Sequence, residues 1–155
     1  MLGARGDARG LRARSVTVGY GKDAPILEDL SLDVLEGQLT VIVGPNACGK
    51  STLLRSLARV LGVRSGVVEL DGQALTTMNQ KELARRLGLL AQSSTAPADI
   101  LVEDLVARGR YPHQSLLRQW SAEDDEAVAW AMRQAGVEAL ARRRVGELSG
   151  GQRQR

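Results

Sequence analysis

Residues 44–52 of the chain read Gly-Pro-Asn-Ala-Cys-Gly-Lys-Ser-Thr and match the pattern G-x-x-x-x-G-K-[ST] at every fixed position. The apolar run 39–43 precedes this stretch, and the segment 50–61, with apolar residues at helical spacing, follows it. Glycines in such a loop let backbone N–H groups point at phosphate oxygens, and the helix directs its positive end to the same place. The stretch therefore predicts a nucleotide phosphate site, whereas the simpler interpretation is a glycine turn between strand and helix.

Residues 44–52, called the phosphate loop below, supply the first candidate ligands of a nucleotide. We expect Lys50 to reach the β- and γ-phosphates, as a candidate catalytic residue, and Ser51 to ligate Mg²⁺. Cys48 occupies a variable position, where its side chain has no required role. By itself the loop leaves kinases, GTPases and many ATPases open. The candidate phosphate-binding residues are Gly44, Pro45, Asn46, Ala47, Cys48, Gly49, Lys50, Ser51 and Thr52.

Composition limits the other classes of function. The length of 155 residues suits one domain, and 43% hydrophobic residues suffice for a single core. Aromatic residues make up 3% of the chain, which argues against a nucleic-acid partner, because single strands are held by bases stacked on aromatic rings. The arginine run 142–144 is interpreted as a solvated face. The single cysteine cannot form an internal disulfide, which fits a reducing compartment.

The beginning of the chain is rich in Gly, Ala and Arg and lacks the apolar run of a signal peptide. We expect residues 1–10 to form a disordered extension. No apolar run approaches the roughly 18 residues that would cross a bilayer. A membrane role is therefore expected to come through a partner.

Hydrophobic periodicity predicts strands in the first part of the chain and helices after residue 92. The run 39–43 is expected to be a strand buried on both faces of a parallel sheet. Asp71-Gly72 predicts a tight turn, and Ser121 with Asp124 predicts a helix capping pair. The predicted strands are 11–20, 30–35, 39–43, 67–70 and 87–91, and the predicted helices are 50–61, 79–86, 102–108 and one that begins at Ser121.

A second motif, Leu-Ser-Gly-Gly-Gln, occupies residues 148–152. As an isolated pentapeptide it is equally well a loop in which Ser149 caps a helix. The order of phosphate loop, Gln92 after an apolar run, helical insert and this motif resembles the nucleotide-binding domain of ABC transporters. The resemblance begins at about residue 11 and continues to Arg155.

The resemblance implies an α/β fold of the P-loop NTPase class, with an antiparallel β subdomain and a helical insert. It divides residues 11–155, the expected ATP-binding domain, into three parts. The β subdomain and P-loop core would occupy 11–92, the Q-loop and helical subdomain 93–147, and the signature motif 148–152.

The same resemblance assigns roles in binding ATP and Mg²⁺. Tyr20 would stack on adenine, although a tyrosine at a strand end needs no such role. Gln92 would contact Mg²⁺ and the attacking water, although a lone glutamine is also an ordinary loop residue. In a head-to-tail homodimer, a second ATP-binding subunit would hold its own ATP. The γ-phosphate of that ATP would be bound by Ser149, Gly150, Gly151 and Gln152.

A finer resemblance lies in residues 102–114, which read Val-Glu-Asp-Leu-Val-Ala-Arg-Gly-Arg-Tyr-Pro-His-Gln. This stretch is similar to importers of ferric siderophores, haem and cobalamin. It implies membrane permease subunits as partners, a substrate-binding protein as an indirect partner, and a location at the cytoplasmic face of the cell membrane. His113 is interpreted as a surface or permease-facing residue, not as a catalytic base.

The family places a Mg²⁺-supporting Asp, a general-base Glu and a phosphate-contacting His after the signature. No counterpart precedes Arg155, so we expect the 155 residues to be inactive alone and to be a fragment of an active ATPase. Two other readings are a soluble ABC-type ATPase acting in DNA repair, translation or iron-sulfur assembly, and a non-catalytic nucleotide-binding fragment. The short helical insert has no coiled-coil pattern, which counts against DNA repair.

Overall fold

The structure is a computed structural model that describes residues 9–90, 96–115 and 120–154. It contains two compact units, Met1–Leu89 and Leu90–Arg155. None of the helices in the described ranges combines the length and the apolar character that crossing a membrane requires.

A four-stranded antiparallel sheet with strand order β2-β1-β3-β4 forms the base of the first unit. The alternating segments predicted at 11–20, 30–35 and 67–70 all form strands of this sheet. The antiparallel β subdomain that the sequence predicts is therefore confirmed. The strands are β1 (Gly10–Val18), β2 (Leu27–Leu35), β3 (Ser65–Leu70) and β4 (Gln73–Ala74).

The predicted tight turn joins β3 to β4. Asp71 and Gly72 both have positive φ, 50° and 79°, as a two-residue hairpin with the twist of its strands requires. The Asp71 carboxylate accepts a hydrogen bond from the Gly10 backbone N–H at 2.7 Å and forms an ion pair with Arg86. One side chain thus connects the hairpin turn, the start of β1 and the end of the second helix.

Two helices, α1 (Lys50–Leu57) and α2 (Gln80–Arg86), accompany the sheet. The α2 helix matches its prediction, and the Asn79 side chain caps it by accepting from the Glu82 N–H at 2.8 Å. The α1 helix ends earlier than the predicted 50–61, because Arg59 adopts a left-handed backbone with φ of 55°. Leu61 nevertheless packs against the core, so the apolar periodicity continues into the turn.

The predictions of strands at 39–43 and 87–91 are wrong for the residues that the structure describes. Residues 39–43 and 87–90 pair with no strand in the described ranges. Apolar residues in both runs are exposed as a result: Leu39 is 92% exposed and Leu90 is 95% exposed. Only Ile42 of the first run packs partly against the core of the unit. A strand needs a neighbour to hydrogen-bond with, and neither run has one among the described strands.

The core of the first unit lies where α1 and α2 meet the sheet. Ten buried residues form one cluster: Ala13, Val16, Val18, Leu53, Leu57, Val68, Leu70, Leu75, Met78 and Leu83. Leu53 and Leu57 are the buried apolar residues of α1, and they pack with Val16 and Val18 of β1. The residues that begin α1 are therefore anchored to the central strand.

The second unit is helical in its described parts, as predicted. Its helices are α3 (Val102–Ala107), α4 (Ala122–Ala135) and α5 (Gly150–Arg153), with 3₁₀ segments at Arg108–His113, Glu138–Leu140 and Val145–Glu147. A separate cluster of Val102, Met132, Val137 and Val145 forms its core. The helices predicted at 102–108 and from Ser121 onward are both present.

A buried ion pair ties the start of α4 to the 3₁₀ segment Arg108–His113. Ser121 and Asp124 form the predicted capping box, with Asp124 Oδ2 accepting from the Ser121 N–H at 3.1 Å. The Arg110 Nε donates to Asp124 Oδ1 at 2.7 Å, and the Asp124 side chain is 3% exposed. Hydrogen bonding from Arg110, and secondarily from Ser121, lowers the pKa of Asp124 below its ordinary value against the opposing effect of burial.

We predict that Asp124→Asn lowers the thermal unfolding midpoint at pH 7 and that this deficit shrinks in acid. A carboxyl whose pKa is lower in the folded state stabilises the fold above its unfolded pKa, about 4, and this contribution is lost as pH falls through the folded value. Thermal melts between pH 7 and pH 2 measure the difference. Glu126→Gln removes an exposed charge from the same helix and serves as the control. A deficit independent of pH would contradict the ion-pair explanation.

Candidate nucleotide-binding site

The phosphate loop curls through two left-handed residues and leads directly into α1. Ala47 and Gly49 have positive φ, 65° and 94°, whereas Cys48 between them does not. Alternation of this kind turns successive N–H groups toward one point and forms an anion-binding concavity. A Cβ on Gly49 would lie 2.9 Å from Leu27 Cδ2 and 3.0 Å from Ile26 Cγ2. Its φ of 94° is one that residues with side chains rarely adopt, so the backbone conformation favours glycine at this position.

The N-terminus of α1 has the features of a phosphate-binding helix end. Gly49 occupies the cap position and, as a glycine, has no side chain with which to cap the first-turn N–H groups, and the first turn of α1 contains no acidic residue. These N–H groups and the helix dipole therefore remain available to an anion. Residues 44–48 are exposed, so a nucleotide can reach the loop from solvent.

Lys50 folds back over its own loop. Its ammonium donates to the carbonyl oxygens of Gly44 at 2.9 Å and Pro45 at 2.6 Å, and it lies 3.7 Å from the Sγ of Cys48. An ammonium has three donors, and the three contacts use all of them. Contact with a phosphate therefore requires Lys50 to exchange at least one of these partners.

The two hydroxyl residues that follow Lys50 face different surroundings. Ser51 is exposed at the first turn of α1, where its hydroxyl is accessible beside the loop. Thr52 is 6% exposed, and its side chain hydrogen-bonds with Tyr20. In the described ranges no group of three or more His, Cys, Asp or Glu could hold a metal ion.

Tyr20 lies beside α1, and two side chains of that helix hydrogen-bond with its hydroxyl. Its hydroxyl accepts a hydrogen bond from Arg55 Nη1 at 3.3 Å. Hydrogen bonds with the side chains of Thr52 and Arg55 lower the pKa of Tyr20. The residue is 40% exposed, which leaves part of the ring accessible. The structure thus brings Tyr20 and the phosphate loop together in the same unit.

Sequence reasoning missed the arginines that surround Tyr20. Arg64 donates to three backbone carbonyls of the turn that follows β1, and Arg55 contacts the phenol. Arg64 lies 44 positions from Tyr20 in the sequence. No local motif marks a contact at that separation, so only the fold reveals it.

The signature residues begin α5 in the second unit. Ser149 Oγ accepts from the Gln152 N–H at 3.3 Å, and Gln152 Oε1 accepts from the Ser149 N–H at 3.0 Å. This capping box gives both polar side chains a local structural role. Gly150 and Gly151 have no such role, because neither has a positive φ and an added Cβ would meet nothing within 4 Å. Within the described residues, the structure therefore gives no local reason for glycine at either position.

Two other residues were predicted to have a role. Gln92, the candidate for contacting Mg²⁺ and water, lies outside the described residues. His113 ends the 3₁₀ segment Arg108–His113 in the second unit and is partly exposed.

Comparisons with known proteins agree with the motifs. The sequence profile of the ABC transporter family matches residues 27–155. The chain is 52% identical over 145 residues to the ferric enterobactin transport ATP-binding protein FepC of Escherichia coli (strain K12), and the match covers 94% of the chain and 53% of FepC. It is 44% identical over 147 residues to the petrobactin import ATP-binding protein FpuD of Bacillus anthracis, covering 95% of the chain and 54% of FpuD.

A solved structure shares the fold. A bacterial Atm1-family ABC exporter with ATP bound superposes with a TM-score of 0.74 at 29% identity, covering 96% of this chain and 26% of the exporter chain. The present chain spans about half the length of FepC and FpuD. Since the family profile covers most of the sequence and both relatives exceed 40% identity, the chain belongs to the ABC transporter family.

Proposed function

We propose that this chain is the nucleotide-binding part of an ATPase subunit that drives import of a ferric siderophore, haem or a corrinoid. The observation that carries the proposal is the phosphate loop, whose alternating φ at Ala47 and Gly49 leads into the uncapped end of α1. Such a site suits the phosphates of a nucleotide. The choice of cargo is supported by the names of two relatives, the ferric enterobactin transport ATP-binding protein FepC and the petrobactin import ATP-binding protein FpuD.

The residues of the first unit would divide the work of binding ATP. Backbone N–H groups of the loop and of α1 would surround the phosphates, and Lys50 would exchange its loop partners for β- and γ-phosphate oxygens. Mg²⁺, when bound, neutralises phosphate charge, and the exposed Ser51 hydroxyl would be its ligand from α1. The accessible ring of Tyr20 would stack on adenine.

The remaining roles follow from the family resemblance. Ser149, Gly150, Gly151 and Gln152 would contact the γ-phosphate held by a second subunit, in a head-to-tail homodimer. The exposure of 149–151 and the unexplained pair of glycines support an external ligand there. Gln92 would contact Mg²⁺ and the attacking water and would relay the state of the site to a permease.

Partners and location are proposed from the same resemblance. Membrane permease subunits would hold the protein at the cytoplasmic face of the membrane, and a substrate-binding protein would deliver the cargo. The fold alone does not set the direction of transport, because the exporter shares it with a TM-score of 0.74. The proposal of import rests on the higher sequence identity, 44%, to FpuD, whose name describes an import protein.

That the 155 residues do not hydrolyse ATP by themselves stays a prediction, which phosphate-release assays test.

We predict that Lys50→Ala raises the dissociation constant for ATP about 10- to 100-fold, the worth of a hydrogen bond to a charged group. Equilibrium titration of the purified protein with ATP measures the change. Lys81→Ala removes the same charge from α2, outside the loop, and should leave the dissociation constant within about twofold. Equal affinities for Lys50→Ala and the unsubstituted protein would refute a nucleotide site at this loop.

We also predict that deletion of the gene impairs uptake of a ferric siderophore, haem or a corrinoid, and that the protein co-purifies with a many-helix permease. Reintroduction of the Gln92→Ala variant should restore ATP binding more fully than transport, because a relay residue acts after binding. Uptake of labelled cargo and ATP titration give the two readouts. Normal uptake of all three cargo classes, with loss of export or of a soluble process, would show that the importer assignment is wrong.

A further inference from the structure

We propose that Arg64 is a positioning residue for the nucleotide base: its guanidinium holds the turn 20–23 so that the Tyr20 ring presents a fixed face to adenine. The inference rests on the proposed function, because it concerns the base end of the same nucleotide site. It assigns a role to a residue that belongs to neither the phosphate loop nor the signature.

The contacts of Arg64 converge on one turn. Its Nη1 donates to the Asp23 carbonyl at 2.7 Å, and its Nη2 donates to the carbonyls of Tyr20 at 3.0 Å and Gly21 at 3.2 Å. Within the described ranges no carboxylate forms an ion pair with Arg64. Its charge is therefore directed at backbone carbonyls, and hydrogen bonds with a charged donor are stronger than those between neutral groups.

The backbone of Arg64 is itself held by the sheet. It immediately precedes β3, and its backbone N–H donates to the Thr17 carbonyl of β1 at 2.8 Å. The guanidinium thus extends from the hydrogen-bonded strands β1 and β3 to a turn that lies outside the sheet.

Gly19 supplies an independent sign that the sequence makes room for this contact. A Cβ at Gly19 would lie 2.7 Å from Nη2 and 2.9 Å from Cζ of Arg64. Any larger residue would displace the guanidinium from the turn. Glycine at position 19 therefore leaves the space that the Arg64 guanidinium occupies next to the backbone of Tyr20.

Tyr20 is consequently restrained at both ends. Arg64 fixes its carbonyl, while Arg55 and Thr52 of α1 hydrogen-bond its hydroxyl. A ring with both ends fixed loses little conformational freedom when a base stacks on it. Immobilising a free side chain on binding weakens affinity by about two- to twelvefold, so loss of the restraint should be visible at this scale.

The test compares ATP with inorganic triphosphate, which lacks the base, on the purified protein. We expect Arg64→Ala to raise the dissociation constant for ATP about two- to twelvefold and to leave that for triphosphate unchanged. Gly19→Ala, which keeps the arginine and displaces it, should give the same base-selective loss. Arg85→Ala, on α2, is the matched control and should change neither constant.

A double-mutant cycle separates positioning from general stabilisation. Tyr20→Ala should weaken ATP binding by about fivefold or more, the worth of one stacked base. If Arg64 acts through Tyr20, adding Arg64→Ala to Tyr20→Ala should cause no further loss. Additive losses, or equal losses for ATP and triphosphate, would overturn the inference.

The proposed function fails by a different result. If the unsubstituted protein binds neither ligand, or if Lys50→Ala changes neither constant, the nucleotide site is wrong and the inference falls with it. If Lys50→Ala weakens both ligands but Arg64→Ala and Gly19→Ala leave ATP affinity unchanged, the nucleotide site stands and only the role of Arg64 is refuted.

Discussion

The packing of α1 against β1 is the constraint on which the candidate site depends. Leu53 and Leu57 are buried in the same cluster as Val16, so the helix cannot rotate or slide without exposing its apolar residues. The register of α1 fixes where its first-turn N–H groups lie. At the same end, a Cβ on Gly49 would lie 2.9 Å from Leu27 Cδ2, so the absence of a side chain lets the loop lie close to the start of β2. Core packing therefore determines the direction in which the phosphate loop faces.

The parts of the fold that the sequence predicts are those whose causes are local. The capping box of Ser121 with Asp124 and the turn at Asp71 each depend on residues within a few positions. The failed strand predictions concern 39–43 and 87–90, where β-branched and apolar residues suggest burial. A strand exists only when another strand hydrogen-bonds with it, and that pairing is a property of the fold rather than of the segment. Periodicity alone indicates which residues prefer burial, not the structure that buries them.

The residues of the candidate site also differ in whether their role depends on neighbouring positions in the sequence or on the fold. The turn of residues 44–49 into α1 could be predicted because its signal is carried by consecutive residues, and the binding of phosphate by this loop stays a prediction. The support of Tyr20 could not, since Arg64 reaches it across 44 positions and exposed arginines are common. Ser149 is a third case, because the sequence allows it to be either a helix cap or a ligand of the γ-phosphate. Its capping bond explains the serine, and only the two glycines that follow it lack a local explanation.

Lys50 links the shape of the loop to its affinity for phosphate. Its bonds to the carbonyls of Gly44 and Pro45 hold the two ends of the loop together, and the same ammonium is the cation expected to meet the phosphates. Sulfur is a weak acceptor, so the contact with Cys48 is the one that a phosphate oxygen displaces at least cost. The gain on binding is then the difference between a bond to a charged oxygen and one to a thiol, which is larger than the gain from displacing a carbonyl. A stronger acceptor at position 48 would compete with phosphate for this donor, so we expect the side chain at this variable position to influence the affinity of the proposed nucleotide site.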